Sequence, residues 1–267
     1  MTEERTSALE KAVLILDCFS QENTELGVRE TARLVGLSSS ATGRLMTAMR
    51  DLGLLVQDPR TRLYTMGTRV LVWAGTYLAS SQIDNAARPY INELHLITRE
   101  TVSLYVLEDH ERVCIERLDS PQSVRFVARV GKRLPLYAGA SGKVMLAFMK
   151  PMRRDEILNS TERIPLTNST IIEWVALEKD LALTRERGYA VSIGEWTPGA
   201  TGIAAPIFDR SNEVAGALNL SGPSSRFTDE VIKDYAAKVC QAAANISRSL
   251  GAHRPAQSAP VAPAHQH

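Results

Sequence analysis

Residues 28–52 constrain the chain more tightly than any other stretch. Val28 to Val35 reads as a short helix with Ala32 on its inner side, and Gly36-Leu37-Ser38 breaks it. Ser38 then caps a second helix whose inward row is expected to be Ala41, Leu45, Ala48, Met49 and Leu52. Two short helices joined by a tight glycine-containing turn predict a helix-turn-helix. Upstream, Ser7-Ala8-Leu9-Glu10 is a capping box, and Leu9, Val13, Leu16 and Phe19 continue at helical spacing. Downstream, Leu54-Leu55-Val56 and Leu63-Tyr64-Thr65 flank Asp58-Pro59-Arg60-Thr61, which predicts a hairpin wing.

The charge distribution fits that unit. The whole 267-residue chain carries a formal net charge of only +1. Residues 1–27 are acidic, with a balance of −4. Residues 28–69 hold Arg29, Arg33, Arg44, Arg50, Arg60, Arg62 and Arg69 against Glu30, Asp51 and Asp58, a balance of +4. A local positive surface is the electrostatic footprint of a nucleic-acid binder, although an arginine-rich solvated face would leave the same trace.

Other classes are disfavoured. Cys18, Cys114 and Cys240 are odd in number and far apart, against both a disulfide framework and a zinc site. The histidines are isolated or lie near the C-terminus. The charged N-terminus is unlike a signal peptide, and no apolar run is long enough to span a membrane. A cytoplasmic location is expected.

Gly67 opens an apolar helical run of Val70, Leu71, Trp73, Ala74, Tyr77 and Leu78. Its apolar residues cover too much of the helix for one small domain. It reads as a linker helix packing on a second subunit, with a core helix of the next domain as the alternative. Beyond it, helices are expected at Asn85–Glu100, Ser141–Met149 and Glu173–Arg187, the last stopped by Gly188. A closing helix is expected from Thr228 to about Leu250. Strands are expected at Thr101–Leu107, Arg112–Leu118, Val124–Val130, Ala190–Ile193, Ile203–Phe208 and Val214–Leu220. Hairpins interspersed with helices indicate an α+β domain with a mainly antiparallel sheet. The division expected is a DNA-binding domain at 6–67, a linker helix at 68–82, a larger domain at 83–252 and a disordered Pro/Ala-rich tail at 253–267.

Several motifs in order carry a resemblance to a known family. They are SALEKAVLILDCFS with VRETARLVGLSSSATGRLMTAMRDLGLL, then YTMGTRVLVWAG, LPLYAGASGKVMLAFM, and RGYAVSIGEWTPGATGIAAPIFDRSNEVAGALNLSGPSSRF. Across nearly the whole ordered chain they resemble the IclR family of transcriptional regulators. The resemblance implies an N-terminal winged helix-turn-helix, a linker helix and a C-terminal GAF-like effector-binding domain. It further implies a homodimer or a dimer of dimers on palindromic double-stranded DNA, answering to a small-molecule carboxylate, with no catalytic residue, metal or cofactor.

On the DNA side, Ser39, Ser40, Thr42, Gly43, Arg44 and Thr47 are expected to fall away from the apolar row of the second helix. Arg44 is the candidate for base readout, since a guanidinium can grip guanine O6 and N7 together. Ser39 and Ser40 sit where a helix start favours phosphate. Arg60 and Arg62 on the wing suit backbone or minor-groove contacts. Gly43 departs from the His or Tyr common in the family, so the operator is expected to differ.

On the sensing side, Gly139-Ala140-Ser141-Gly142-Lys143 precedes a helix, where small residues and free N–H groups suit an anion. It is not a Walker P-loop, since Val144 stands where Ser or Thr is needed. Nor is it a nucleophile elbow, since Lys143 stands where the last glycine should be. By resemblance, the effector-binding positions are Ala140, Ser141, Ser192, Gly202, Asn219 and Ser221. Members that bind short oxoacids carry an acid, a cysteine and a serine in place of Ser192, Gly202 and Asn219. This chain loses the acid and gains room and an amide, which favours a larger acid, aromatic or sugar-derived. Tyr105, Tyr137 and Trp196 are candidates for the lining, or else ordinary core residues. The function expected is a ligand-responsive regulator, repressor rather than activator, of genes for metabolism of a small organic acid. The rivals are a hydrolase using Ser141 and a ligand-independent DNA-binding scaffold.

Overall fold

The computed structural model describes residues 7–20, 23–123 and 129–253. The chain forms two compact units, Met1–Ser80 and Ser81–His267. Most of the expected strand Val124–Val130 and nearly all of the expected tail at 253–267 lie outside the described residues.

In the first unit, α1 (Ala8–Asp17), α2 (Val28–Val35) and α3 (Ser39–Asp51) precede a hairpin of β1 (Leu55–Gln57) and β2 (Tyr64–Met66). The Ser7 and Glu10 side chains close the capping box of α1. Gly36 ends α2 in the left-handed region at φ 67°, and the Ser38 hydroxyl accepts from Ala41 N at 3.2 Å to start α3. Gly36 and Ser38 together set the turn between α2 and α3. Ile15, Met46, Met49, Leu55 and Tyr64 form the buried core.

The inward face of α3 differs from the sequence expectation. Thr42, Met46 and Met49 are buried, Leu45 is partly buried, and Ala48 and Leu52 are exposed. Met49 faces inward as expected, joined by Thr42 and Met46 rather than by Ala48 and Leu52, since rows 41-45-48-52 and 42-46-49 both keep helical spacing. Met46 contributes more apolar surface than Ala48, so the second row wins.

The wing turns on Asp58, whose carboxylate accepts from Arg60 N at 2.6 Å and Thr61 N at 3.1 Å. Leu26 pairs with Tyr64 and adds a third short segment to the hairpin. Gly67 N then donates to Leu54 O at 2.7 Å, and any Cβ at Gly67 would overlap the Gly53 carbonyl. The chain leaves this clamp as α4 (Arg69–Ser80), none of whose residues is buried. Leu71 is 67% exposed, Val72 65% and Trp73 53%.

The second unit contains α5 (Gln82–Thr98), β3 (Thr101–Glu108), β4 (Glu111–Leu118), β5 (Arg133–Pro135), α6 (Ala140–Phe148) and α7 (Pro151–Ser160). It continues with α8 (Trp174–Arg187), β6 (Ala190–Ile193), β7 (Ala200–Phe208), β8 (Val214–Pro223), a 3-10 turn at Ser224–Arg226 and α9 (Asp229–Ser249). The six strands lie in the order β5-β4-β3-β8-β7-β6, every neighbouring pair antiparallel. The fold is therefore α+β, as expected.

Alternation along the strands supplies two cores. On one face Leu104, Leu218 and Leu220 pack with Ile91 and Leu94 of α5 and Val239 and Ile246 of α9. On the other, Tyr105, Cys114 and Ala217 pack with Met145 and Leu146 of α6 and Leu177 and Leu181 of α8. Gly188 caps α8 at φ 85°, and Thr228 caps α9. β5 and α7 were not expected from the sequence, and β7 starts three residues earlier than expected.

One buried charge network holds α6 in place. Lys143 is 1% exposed, and its ammonium meets Glu195 Oε1 at 2.5 Å, Asp180 Oδ2 at 2.8 Å and Val191 O at 3.0 Å. The other Glu195 oxygen accepts from Gly139 N at 3.1 Å. One lysine thus ties α6 to α8, to β6 and to the loop before β7. Removing one member of such a set strands the remaining charges in low dielectric. Lys143→Met should therefore destabilise the second unit by about 3–5 kcal/mol, read from urea denaturation followed by tryptophan fluorescence.

Candidate functional site

Two surfaces gather the candidate residues, one in each unit. On the first unit, Ser39 and Ser40 are exposed at the start of α3, and Arg44 is exposed one turn later. Arg44 Nη1 donates to Ser40 Oγ at 3.1 Å, and Arg44, Arg60 and Arg62 make no ion pair among the described residues. Arg50, by contrast, is committed to Asp51 at 2.8 Å. Thr47 is half-buried. Gly43 is half-buried against α2, where a Cβ would touch Val28 at 3.4 Å. Thr42 corrects the sequence expectation: it is 0% exposed and belongs to the domain core, so it cannot face a groove. Arg60 and Arg62 stand exposed at the tip of the wing, with Arg62 in the left-handed region at φ 63°.

The second surface is a cavity of about 230 Å³ between α6 and the sheet. All six sequence-derived effector positions, Ala140, Ser141, Ser192, Gly202, Asn219 and Ser221, line it. The register explains the convergence. Ser192 pairs with Gly202, and Gly202 with Ser221, so three strands present small residues in one row. Asn219 sits one pleat away on the same face, opposite Ala204 and Ser103. A Cβ at Gly202 would meet Asn219 Oδ1 at 3.4 Å and Ala140 Cβ at 3.7 Å, so the missing side chain is part of the opening.

The start of α6 forms the opposite wall. Gly139 adopts φ 85°, which only glycine takes easily, and no side chain caps the helix. The first turn therefore faces the cavity with the partial positive charge of a helix start. Gly142 is required by space, since a Cβ there would overlap the Leu136 carbonyl.

Of the three aromatic candidates, Tyr105 and Trp196 line the cavity and Tyr137 does not. The Tyr137 hydroxyl donates to Ile164 O at 3.0 Å, and the ring is core. Burial pushes the Tyr105 phenol up to about 12, so it stays neutral.

The sequence reading missed Arg112. This residue is 3% exposed, lines the cavity, and donates from Nη1 to the Pro135 carbonyl. Its guanidinium lies 5.6 Å from the Tyr105 ring and 6.0 Å from that of Trp196. Burial pulls its pKa down to about 10, which still leaves it charged at neutral pH. Its only signal in the sequence is an arginine opening an apolar strand, Arg112-Val113-Cys114-Ile115.

The chemistry available here is recognition. Among the described residues, no histidine lines the cavity that holds Ser141, and the Nδ1 atoms of His95 and His110 are bonded to Glu100 O and Ser160 Oγ. Among the described residues, no helix is long and apolar enough to cross a membrane.

Comparison with known proteins identifies the two domains. Residues 8–59 match the IclR helix-turn-helix domain, and residues 75–248 match the bacterial transcriptional regulator IclR C-terminal domain. The HTH-type transcriptional regulator XynR of Escherichia coli K12 is 31% identical over 244 residues, covering 91% of this chain and 97% of the relative. The transcriptional repressor IclR of the same strain is 29% identical over 252 residues, covering 94% and 92%. The crystal structure of an IclR homolog complexed with 4-hydroxybenzoate, from Microbacterium hydrocarbonoxydans, matches with a TM-score of 0.77 at 28% identity, covering 91% of this chain and 99% of that one. With its helix-turn-helix, its effector domain and the order of both in agreement, the chain belongs to the IclR family of DNA-binding transcriptional regulators, not to an enzyme family.

Proposed function

We propose that the chain is a cytoplasmic repressor whose grip on a palindromic operator changes when a small organic acid fills the cavity beneath α6. The observation that carries this reading is the convergence of six separate sequence positions on one cavity at an uncapped helix start. A helix start favours an anion, and the row at Ser192, Asn219 and Ser221 offers neutral hydrogen bonds to the rest of the ligand. A volume of about 230 Å³ is generous for a two-carbon oxoacid. Tyr105 and Trp196 suit a ring. The homolog from Microbacterium hydrocarbonoxydans was crystallised with 4-hydroxybenzoate, an aromatic acid, which supports the same class.

On the DNA side, α3 enters the major groove by its N-terminal turns, with Ser39 and Ser40 on phosphate and Arg44 on base edges. Gly43 and Thr47, at the margin of that surface, allow close approach. Arg60 and Arg62 of the wing bind the backbone. A homodimer or dimer of dimers joined through α4 accounts for the exposure of Leu71, Val72, Trp73 and Tyr77. Its half-sites lie about one helical turn (~34 Å) or a multiple apart. The effector acts by binding one arrangement of the two units more tightly than DNA-bound protein allows.

Two experiments test these halves. Gel retardation of promoter DNA flanking the gene, with a panel of acids, should show release by aromatic or sugar-derived acids. A preference for glyoxylate over every larger acid would overturn the ligand class. Arg44→Ala should weaken operator binding by about 1–3 kcal/mol and relax specificity at one base pair. Arg60→Ala should instead weaken all sequences alike and lower the salt slope by about one, measured by fluorescence anisotropy against ionic strength.

A further inference from the structure

We infer that Arg112 is the carboxylate anchor of the cavity, and that the effector is a monocarboxylate held by one guanidinium against the first turn of α6. This rests on the proposed reading of the cavity as an acid site, and adds the residue and the charge class.

Three independent observations carry it. The first is an unmatched charge. Arg112 is 3% exposed, and no carboxylate lies in ion-pair range of it among the described residues. Among the described residues its Nε has no hydrogen-bond partner. Glu195 is near enough to be felt electrostatically, yet its two oxygens are already taken by Lys143 and Gly139 N. A guanidinium kept from water without a counter-ion is costly, and a site that retains one is a site that awaits an anion.

The second is the seat. An added Cβ at Gly139 would lie 3.0 Å from Arg112 Nη2, and one at Gly142 would overlap Nη1. Both glycines of this loop are thus needed to admit the guanidinium, beyond any role toward a ligand. They hold it against the uncapped start of α6, where its positive charge and that of the helix end add. Tyr105 and Trp196 lie close to the guanidinium and restrict its plane. A planar fork held in this way matches a carboxylate.

The third is the composition of the walls. Among the described residues, Arg112 is the single charged one that lines the cavity. Ser141, Ser192, Thr197, Thr201, Asn219 and Ser221 supply neutral donors and acceptors. One guanidinium in the described wall favours a single negative charge. A dicarboxylate or a phosphate dianion would leave a charge unmatched in a half-enclosed site.

Isothermal titration of the full-length chain tests this with benzoate, 4-hydroxybenzoate and glucuronate, each against its primary amide, and with terephthalate as a dianion. At least one acid should bind wild type tenfold or more tightly than its amide, and terephthalate should bind more weakly than benzoate. Arg112→Gln should lose that acid by tenfold or more while leaving the amide within threefold. Arg112→Lys should recover part of the acid preference, which a purely structural arginine would not require. Should Arg112→Gln fail to fold by circular dichroism, the wild-type ratio and the lysine variant decide. Equal binding of acid and amide overturns the anchor, as does an Arg112→Gln affinity within threefold of wild type. In both cases the cavity remains an effector site. Failure of every acid to bind wild type overturns the acid reading itself.

Discussion

The buried ammonium of Lys143 is the interaction on which the effector half depends. Its partners come from α8, from β6 and from the loop before β7. A charge 1% exposed is stable only when its partners are fixed, so the network rigidifies whatever it touches. What it touches is the start of α6. Glu195 engages Gly139 N and stops there, leaving the following turn without a side-chain cap. The positive end of α6 is therefore both immobile and open, which is the preorganisation a binding site needs.

The cavity itself follows from register. Elsewhere the sheet is sealed by Leu, Ile and Met packing against helices on both faces. Across β6, β7 and β8 one row reads Ser192, Gly202 and Ser221, residues too small to reach α6. Ala140 continues the same economy of volume from the helix side. Polar groups in such a gap are stable with water or a ligand to bond and costly without, so the row favours occupancy. Arg112 enters from β4 at the margin of this gap and supplies the charge that small residues cannot.

Much of this was legible in the sequence where one residue dictates geometry. Gly36 and Gly188 had to end helices, Ser7, Ser38 and Thr228 had to begin them, and each did. The six effector positions came from a resemblance; in the structure the register brings Ser192, Gly202, Asn219 and Ser221 together, and the start of α6 sets Ala140 and Ser141 in the same cavity wall. The misses have physical causes. α7 begins at Pro151 and is so polar that no apolar stripe announces it. β5 is three residues long, too short for alternation to register. Thr42 looked outward because a hydroxyl reads as polar, yet Thr42 is packed with Met46 and Met49 on the inner face of α3. In the sequence Arg112 reads only as the first residue of a strand. Its burial depends on Gly139 and Gly142, about thirty residues downstream, and on Trp196 further still. Pairwise relations of that range have no local signature.

The same register offers a physical path from ligand to DNA on the proposed reading. Tyr105 lines the cavity, and its strand neighbour Leu104 points through the sheet to the core shared with α5 and α9. Across the ladder Tyr105 pairs with Ala217 and Leu104 with Leu218, so β3 and β8 cannot shift separately. A ligand that draws on Arg112 and presses on Tyr105 thereby loads the strand against α5. Through the short Ser81 junction α5 continues the chain from α4, which leaves the DNA-binding unit through the Gly67 clamp. Along α4 no residue is buried, so its own unit does not fix where its apolar face comes to rest. An element whose packing is left open at one end and loaded at the other is the kind on which a modest difference in ligand affinity can act, since coupling requires two arrangements close in free energy rather than one deeply stabilised.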